Sequence, residues 1–519
     1  MAIDYNLLDD FEKKFEEERE YYQVPGAALA IVEGSDLIKV AGYGVRNLET
    51  GEPVTPETVF PIGSISKSMT SIMNATQVEA GIFDWDTLVK DISPQFKFAD
   101  RQTTDNLQVR HVIGMRSGIG DPIGPYDGAN NKYWDRHSAA YSIASLPAAP
   151  FRAIPGEKFH YGNESYASSG YFSPLMRGLE TSQLLQEYKN LMGQKLFEPI
   201  GMTKTSITPI PSSISSDYAS SYGLNATNGQ GSLMEKAPIN ISNVNGMAPG
   251  GQVVSNAMDL SLYARMLLNK GVAINGNQII TPASLEKTWN DTIDAPGFPG
   301  LTNKTKYGLG WEIQFVELTT DNRIIEAIAH GGLLPAWVTW LMVVPDKNVG
   351  LIILTNSWSG FYFMLEMAKE FIKSLYGSDL DESQFIDYRK EYQEYVEELP
   401  KQIEEKVSSY TVKREEVESL LGNYEGGWNL EVNESDRLVL FKSGWVNYLF
   451  PSKAGDDKYI IGASNDYIYL RKELHDVSFS IDPTTSKMTM YSKMGNVAKL
   501  DISRKASWTV EAQFPIRYL

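Results

Sequence analysis

The chain has 519 residues, of which 42% are hydrophobic, 11% aromatic and 22% charged. This composition is typical of a folded protein, and the length predicts two or three domains rather than one. A net charge of −18 argues against nucleic acid or an anionic membrane as a partner, and the lack of cysteine excludes disulfides, thiolate nucleophiles and cysteine-ligated metals.

The N-terminal segment, MAIDYNLLDDFEKKFEEEREYY, contains no apolar signal-peptide core and predicts a charged amphipathic helix. The longest apolar runs, such as 337–344, are too short to cross a bilayer. We therefore expect no membrane partner and a cytoplasmic location, although a secreted form trimmed of its signal peptide would have the same sequence.

Strand patterns are predicted at both ends of the first domain. GAALAIV (26–32) and LIKVAGYGV (37–45) predict two strands joined by a turn, and helical patterns broken by loops follow to about residue 290. Four further strands have short connections that favour antiparallel neighbours, at 311–316, 324–330, 337–344 and 349–356. The pattern predicts an α/β domain over residues 1–376, with one antiparallel sheet completed by both chain ends and flanked by helices.

The remaining chain changes composition twice. Residues 377–418 are rich in Glu, Lys, Asp and Tyr, which predicts a charged helical linker. Residues 419–519 contain short alternating segments between turn signals, such as RLVLF (437–441), DYIYLRK (466–472) and KMTMYSK (487–493). Such spacing predicts a small antiparallel β-barrel or sandwich.

The segment FPIGSISKSMT (60–70) places a serine and a lysine three residues apart at the start of a predicted helix. Ser64 and Lys67 would then share one helix face. A serine hydroxyl becomes a good nucleophile only when a base accepts its proton, and a lysine can do so only where its surroundings favour the neutral amine. The same spacing recurs at Ser284 and Lys287, in a predicted surface helix, so the spacing alone does not identify a site.

A second pattern, Tyr161-Gly162-Asn163, lies about a hundred residues downstream. A phenol near an ammonium group loses its proton more easily and can act as a general base, and an asparagine amide can hold both a lysine and a substrate amide. Tyr188-Lys189-Asn190 repeats this pattern within a predicted helix, where we expect a structural role.

A third pattern, His330-Gly331-Gly332, ends a predicted strand. Glycines there let a substrate pair along the strand edge and bring backbone N–H groups close to it. The alternative is a strand-ending turn with a hydrogen-bonded histidine. The five histidines of the chain show no metal-binding spacing, so we expect neither a metal nor a cofactor.

Taken together and in this order, these patterns resemble the serine β-lactamase and penicillin-binding-protein-like hydrolases. The similar branch includes class C β-lactamases, D-alanyl-D-alanine carboxypeptidases, D-aminopeptidases and esterases. The resemblance covers roughly residues 10–375 and rests on FPIGSISKSMT, PGEKFHYGNESY, LFEPIGMTKTSI, APGGQVVSNAMDLSLYARMLL, YGLGW and HGG…VVPDKNVGLIILTN. It implies the family's fold, an antiparallel sheet flanked by helices with a mostly helical subdomain.

The resemblance also implies roles for single residues. Ser64 would be the acyl-forming nucleophile, Lys67 its proton partner, Tyr161 the second acid/base group and Asn163 a positioning residue. The backbone N–H groups of Ser64 and Leu333 would form the oxyanion hole. Which of Lys67 and Tyr161 takes the first proton stays open.

The chain departs from the family in two places. Where many β-lactamases carry Lys-Thr-Gly it has His330-Gly331-Gly332, and a histidine is only partly charged near neutrality. This favours an amide, peptide or ester over a penicillin. RHVIGMRSGIGD (110–121) lacks a threonine and a histidine that are usual there, so we expect a reshaped loop with catalysis retained.

The sequence thus predicts a serine hydrolase that acts through an acyl-enzyme on amide or peptide bonds, including those of D-residue peptides. A carboxylesterase, an acyltransferase or a weak β-lactamase using the same residues is the alternative. A non-catalytic module that senses peptides or β-lactams is another. We expect a small-molecule or peptide substrate and leave a homo-oligomer open. The C-terminal region resembles, through its GNYEGGW opening (422–428), the lipocalin-like domain of some family members, which would cap the cleft, restrict substrate size or build an oligomer.

Overall fold

The structure is a computed structural model. It describes residues 5–96, 98, 100–120, 138–140, 143, 146, 149, 151–208, 211–225, 233–236, 245–319, 321–334, 336–394, 396–397, 411–418, 420–424, 428–433, 436–442, 445–451, 458–464, 475–481, 488–492 and 497–498. The chain divides into two compact units. One comprises Met1–Pro122, Arg136–Tyr222 and Ile239–Glu391, and the other comprises Ile123–Asp135, Gly223–Pro238 and Tyr392–Leu519.

The first unit is built on a large antiparallel sheet. Its strands are β1 (Gly26–Glu33), β2 (Asp36–Asn47), β3 (Glu52–Pro53), β9 (Ile293–Asp294), β10 (Thr305–Tyr307), β11 (Glu312–Glu317), β12 (Ile324–Leu334), β13 (Trp337–Val344) and β14 (Val349–Thr355). Their order across the sheet is β3-β2-β1-β14-β13-β12-β11-β10-β9. The short strands β4 (Phe60–Pro61), β5 (Ser206–Ile207) and β8 (Val253–Ser255) form a separate small sheet. Strands β6 (Tyr222–Asn225) and β7 (Leu233–Lys236) pair with each other, and all of β7 and most of β6 belong to the second unit.

Pairing of β1 with β14 confirms that the two ends of the domain complete one sheet. Ala27 lies opposite Thr355, and Glu33 lies opposite Val349, in antiparallel register. Every residue of β13 and β14 is buried, which explains why both strands are continuous apolar runs rather than alternating ones. The predicted α/β fold class is therefore confirmed.

Helices occupy the N-terminal end and the middle of the unit, as the sequence predicts, and a further helix that the sequence analysis did not predict follows the last strand of the sheet. They are α1 (Tyr5–Tyr21), α2 (Ile65–Glu79), α3 (Val89–Ile92), α4 (Arg101–Asn106), α5 (Val109–Ile113), α6 (Asn163–Ser168), α7 (Phe172–Met176), α8 (Leu184–Met192), α9 (Glu198–Ile200), α10 (Ala248–Gly251), α11 (Ala257–Leu268), α12 (Pro282–Asn290) and α13 (Gly360–Tyr376). The first helix packs on the last through aromatic rings, with Phe15 and Phe363 at a centroid distance of 4.8 Å. Within the described residues, no helix is long and apolar enough to cross a membrane.

The second unit contains a short helix, α14 (Arg414–Val417), and an antiparallel meander whose strands follow one another in chain order. They are β15 (Gly422–Tyr424), β16 (Trp428–Val432), β17 (Leu438–Lys442), β18 (Trp445–Pro451), β19 (Lys458–Ser464), β20 (His475–Ile481), β21 (Met488–Ser492) and β22 (Val497–Ala498). Strand β18 was missed by the sequence analysis, and the predicted strand at 466–472 lies outside the described residues. Between the strands described here, no pairing joins β15 to β22, so the closed barrel, the lipocalin-like likeness and the domain boundaries stay predictions.

Candidate active site

Ser64 follows a left-handed turn and begins helix α2. Gly63 has a φ of +52°, and a Cβ added to it would lie 2.8 Å from the backbone nitrogen of Leu333. A side chain at position 63 is therefore strained by the backbone and also obstructed by strand β12. Ser64 is the N-cap residue of α2, so the positive end of the helix dipole lies beside its hydroxyl.

Helix α2 holds Ser64 rigidly because it is a core helix rather than a surface one. All of its residues from Ile65 to Gln77 are buried, and its hydroxyl groups find acceptors inside the protein. Ser66 Oγ donates to the Gly63 carbonyl at 2.6 Å, for example. Such satisfied hydroxyls cost little to bury, and they fix the turn that precedes the helix.

Lys67 is fully buried, and its Nζ lies 2.8 Å from Ser64 Oγ. Two further oxygens accept hydrogen bonds from the same nitrogen, Asn163 Oδ1 at 2.8 Å and the Gly250 carbonyl at 2.6 Å. These two acceptors fix two N–H directions and leave the third tetrahedral position of Nζ directed at Ser64. That position holds a proton in the ammonium form and a lone pair in the amine form, so the geometry suits proton exchange with the serine.

Tyr161 completes this group. Lys67 Nζ lies 5.0 Å from the centre of its ring, and its hydroxyl interacts with Ser64. The ring packs against Phe298 at a centroid distance of 5.3 Å and against Tyr307 at 6.0 Å. Burial raises the pKa of the Tyr161 hydroxyl, although its interaction with Ser64 opposes the shift. The phenol is therefore protonated near neutral pH.

The segment that carries Tyr161 is anchored by Met115, in the region where the chain departs from the family pattern. The Met115 carbonyl accepts from the His160 nitrogen at 2.7 Å, and its Sδ accepts from the Gly162 nitrogen at 3.4 Å. Met115 has a φ of +52°, which is unusual for a residue with a side chain. The two bonds bracket Tyr161 on both sides.

Strand β12 supplies the backbone next to Ser64. Gly332 allows this approach, because a Cβ there would lie 2.0 Å from the Ile62 carbonyl. Thr339 Oγ1 on β13 also donates to that carbonyl, at 2.9 Å, and so ties the sheet to the residues before Ser64. Leu333 is 41% exposed, with its nitrogen beside Gly63.

His330 is fully buried, and both of its ring nitrogens are hydrogen bonded. Nδ1 lies 2.7 Å from the Gly331 carbonyl, which can only accept, so this nitrogen carries the proton. Nε2 then accepts from the Tyr307 hydroxyl at 2.9 Å. Burial, together with the charge of Lys67, lowers the pKa of His330 to about 3. The ring is therefore neutral across the physiological pH range.

Glu312 is a second buried titratable group, and the sequence analysis missed it. Its side chain is 3% exposed, and Oε1 lies 3.2 Å from His330 Nδ1 and accepts from the Gly331 nitrogen at 3.0 Å. Burial raises the pKa of Glu312 to about 8, although the Gly331 hydrogen bond and the charge of Lys67 oppose the shift. The contact with His330 is therefore one between neutral groups near pH 6, not an ion pair.

The structure brings most of the predicted site residues together and also shows others. Ser64, Lys67 and Asn163 are linked by hydrogen bonds, Tyr161 lies against them, and Leu333 faces Gly63. The roles given to these residues, and to His330, Gly331 and Gly332 in substrate binding, stay predictions. Sequence reasoning missed the Gly250 carbonyl, Met115 and Glu312. Only Glu312 leaves a signal, an acid directly after YGLGW in a strand otherwise dominated by uncharged residues.

The repeated patterns occupy different surroundings. Ser284 lies on helix α12, where Lys287 forms an ion pair with Asp291 at 3.1 Å. Tyr188 is buried in α8, and its hydroxyl lies 2.7 Å from Thr70 Oγ1. Among the residues that the structure describes, no group of three or more His, Cys, Asp or Glu side chains is placed to hold a metal ion.

The family was established by comparison with known proteins. The model of the beta-lactamase family matches residues 11–368, which is more than half of the chain. The chain belongs to the beta-lactamase family. This beta-lactamase family member is 26% identical to penicillin-binding protein 4 of Amycolatopsis lactamdurans over 378 residues, 72% of this chain and 91% of that protein. It is 22% identical to the unguisins hydrolase ungD′ of Aspergillus campestris (strain IBT 28561) over 412 residues, 78% of this chain and 71% of that protein.

Solved structures show the same fold. The octameric penicillin-binding protein homologue from Pyrococcus abyssi superimposes with a TM-score of 0.57 at 20% identity, over 95% of this chain and all of that one. The crystal structure of SurE with D-Leu gives a TM-score of 0.55 at 19% identity, over 96% of this chain and all of that one. At these identities, the similarity concerns the fold of this beta-lactamase family member.

Proposed function

We propose that the protein is a serine hydrolase that cleaves amide or peptide bonds through an acyl-enzyme on Ser64. The observation that carries the proposal is the position of Lys67, a buried amine whose third tetrahedral direction ends on Ser64 Oγ at 2.8 Å. A serine and a lysine held in this way by two carbonyl oxygens form an activated nucleophile. A surface pair with the same spacing has no such constraint.

Acylation follows from the geometry. As Ser64 Oγ attacks the scissile carbonyl carbon, its proton passes to Lys67 Nζ, and an oxyanion forms between the Ser64 and Leu333 N–H groups. The leaving nitrogen takes the proton of the Tyr161 hydroxyl as the C–N bond breaks. Lys67 then returns its proton to Tyr161. The net change is transfer of one proton from the serine to the leaving amine, and of the acyl group to the serine.

Tyr161 suits the donor role better than the acceptor role. Because burial raises the pKa of its hydroxyl, the phenolate is disfavoured before substrate binds. Lys67 faces the same serine oxygen, and its amine form, present once the ammonium group has lost a proton, is then the acceptor for the first proton. Water would complete the cycle by attacking the acyl carbon in the reverse sense, giving a carboxylic acid and free Ser64.

The neutral His330 supports an amide or peptide substrate over one recognised through a carboxylate. A lysine at this place would present a permanent positive charge, whereas His330 is buried and uncharged. The names of the relatives, a penicillin-binding protein and a hydrolase, agree with acyl-transfer chemistry. The fold neighbour crystallised with D-Leu adds support for D-residue peptides as substrates.

Ester hydrolysis, acyl transfer and weak β-lactam hydrolysis would use the same groups and differ in leaving group or acyl acceptor. Self-association is a further proposal, supported by the octameric state of the homologue from Pyrococcus abyssi.

Covalent labelling tests the proposal. A fluorophosphonate probe should label Ser64, as located by mass spectrometry of the digested protein. Ser64→Ala should abolish labelling, and Ser284→Ala, the matched change at the other Ser-x-x-Lys pattern, should leave it intact. Labelling that persists in Ser64→Ala would overturn the assignment of the nucleophile.

The substrate class needs a separate measurement. Anilides of D- and L-amino acids, p-nitrophenyl esters and a chromogenic cephalosporin would be compared as substrates of the same preparation. Turnover of the anilides in a Ser64-dependent manner is expected. Turnover of esters alone would favour the esterase alternative, and peptide binding without turnover of any acyl substrate would favour the non-catalytic one.

A further inference from the structure

Strand β12 runs past the end of its neighbour at the candidate active site. Its pairing with β11 ends where Ala329 lies opposite Glu312, whereas its pairing with β13 continues to Leu334. Among the strands that the structure describes, the segment from His330 to Leu334 is therefore paired with β13 alone. On its other side the Leu333 nitrogen lies beside Gly63, the residue before Ser64, and an extended substrate can add there as a further strand.

Two residues of this segment direct their backbone groups toward the open side. The Gly331 N–H points away from β13, since it donates to Glu312 Oε1 at 3.0 Å. Residues two apart on a strand point their backbone groups the same way, so the N–H and C=O of Leu333 also face the open side. These two residues are the places at which an added strand would pair.

The two places differ in availability. Both backbone groups of Gly331 are already occupied, its N–H by Glu312 and its carbonyl by His330 Nδ1 at 2.7 Å. The Glu312 carboxyl group, which accepts from the Gly331 N–H, is held in place. Its side chain is 3% exposed, and the Glu312 backbone is paired within the sheet. A substrate is thus left with the backbone groups of Leu333.

The register of an antiparallel substrate shows which part of it loses a contact. A scissile carbonyl held by the Leu333 N–H places its own residue opposite Leu333. The next residue then lies opposite Gly332 and the second residue of the leaving group opposite Gly331. We propose that Glu312 is a specificity-determining residue that occupies the Gly331 N–H, so that strand pairing recognises one leaving-group residue at most. This inference rests on the proposed function, because it presumes that Ser64 is acylated.

A pair of neutral peptides tests whether strand pairing recognises only one leaving-group residue, which we call the length limit. They share one acyl residue and end in either Ala-amide or Ala-Ala-amide as the leaving group, the acyl residue being taken from a panel of D- and L-amino acids. The readout is the potency with which each peptide slows fluorophosphonate labelling of Ser64, together with kcat/KM where the peptide is cleaved. In the unaltered protein the second alanine should change potency by less than about twofold, because it gains no backbone hydrogen bond.

Variants of Glu312 show whether it acts by occupying the Gly331 N–H or through the charge of its carboxyl group. Glu312→Gln keeps an oxygen acceptor for the Gly331 N–H and should retain the limit. Glu312→Ala frees that N–H and should make the longer peptide about fivefold more potent than the shorter, the worth of one net hydrogen bond. Glu312→Ser is a second shortened variant in case the alanine protein folds poorly. Glu317→Gln is the control, since Glu317 lies at the exposed end of the same strand.

The outcomes distinguish this inference from the function on which it rests. Loss of the limit in the shortened variants but not in Glu312→Gln would support it. Normal labelling with an unchanged ratio of potencies in Glu312→Ala and Glu312→Ser would overturn it and leave the nucleophile intact. A fivefold advantage of the longer peptide in the unaltered protein would overturn it as well. Absence of Ser64 labelling in the unaltered protein would instead contradict the proposed function.

Discussion

Two helices of this protein carry a serine and a lysine three residues apart, and their surroundings differ in almost every respect. Helix α2 is buried, and Ser64 stands at its N-cap after a glycine with positive φ. Helix α12 is capped by Thr281, whose Oγ1 accepts from the Ser284 nitrogen at 3.3 Å. The Lys287 side chain is 43% exposed, whereas Lys67 is fully buried.

The comparison shows what the spacing specifies and what it leaves open. Three residues on a helix put a serine and a lysine on one face in both cases. At α2 two carbonyl oxygens from distant parts of the chain, Asn163 Oδ1 and the Gly250 carbonyl, orient the amine toward the serine. At α12 the lysine is oriented by a carboxylate one helical turn further along, Asp291. We therefore expect the reactivity of each serine to depend on partners that the local pattern does not contain.

Replacing either lysine by methionine, one at a time, should give the largest difference in the rate of Ser64 labelling. Lys67→Met fills the same space but cannot take a proton, so the rate of Ser64 labelling should fall by about 10²–10⁴-fold. Lys287→Met should leave the rate unchanged and lower the free energy of unfolding by about 1 kcal/mol at most, as expected for the loss of one partly exposed ion pair. Stopped-flow or gel-based labelling kinetics and urea unfolding measure these effects. A Lys67→Met protein that labels within tenfold of the original rate would contradict the assigned proton acceptor.

The residue before each serine offers a second contrast, since Ala283 precedes Ser284 while Gly63 precedes Ser64. Gly63→Ala should push the Leu333 N–H out of place, with a loss of labelling rate of about 10²-fold, the usual effect of losing one oxyanion donor. Gly81→Ala is the control, because Gly81 ends the same helix with a φ of +69° and has open space around it. Both variants should lose stability, by about 1 kcal/mol for the backbone strain, and only Gly63→Ala should lose rate. Equal rates in the two variants would exclude the predicted role of Leu333.

The titratable side chains around the two helices should also change charge in different pH ranges. The resulting changes in the free energy of unfolding are the smallest effect expected here. Glu312 has a raised pKa of about 8 against 4.5 in the unfolded chain, so its contribution to stability is lost as pH rises through 8. His330 has a lowered pKa of about 3 against 6.5, so its contribution is present above pH 6.5 and lost as pH falls toward 3. For Asp291, burial favours the neutral form, but Arg116 and Lys287 outweigh it and hold the pKa below 3.8, so its contribution is lost only in stronger acid.

Difference curves isolate these contributions. Urea midpoints would be measured from pH 3 to 9 for the original protein and for Glu312→Gln, His330→Asn and Asp291→Asn. Glu312→Gln should remove part of the fall in stability between pH 6.5 and 8, and His330→Asn part of the fall below 4.5. Asp291→Asn should lose the stability that Asp291 gives at neutral pH and follow the original curve more closely in acid. A Glu312→Gln curve that runs parallel to that of the original protein above pH 6.5 would show that burial does not raise the pKa of Glu312.

Much of the fold could be predicted from sequence because its signals are local. Strands β1, β2, β13 and β14 are recognisable as apolar runs between turns, and their short connections gave the antiparallel pairing. Strand β18, Trp445–Pro451, was missed even though the strand before it was predicted at 437–441. The candidate site followed from the order of three short patterns along the chain.

By itself, the sequence predicted the candidate site residues and determined that Ser64 and Lys67 share a helix face, because helical periodicity is a property of neighbouring residues. Only the tertiary structure decided which serine has an oriented amine, because the orienting carbonyl groups lie 96 and 183 residues away from Lys67. It also decided that His330 is neutral and that Glu312 occupies the strand edge beside it. Burial and partners, rather than residue type, set both the charge of a titratable group and the groups it can bind.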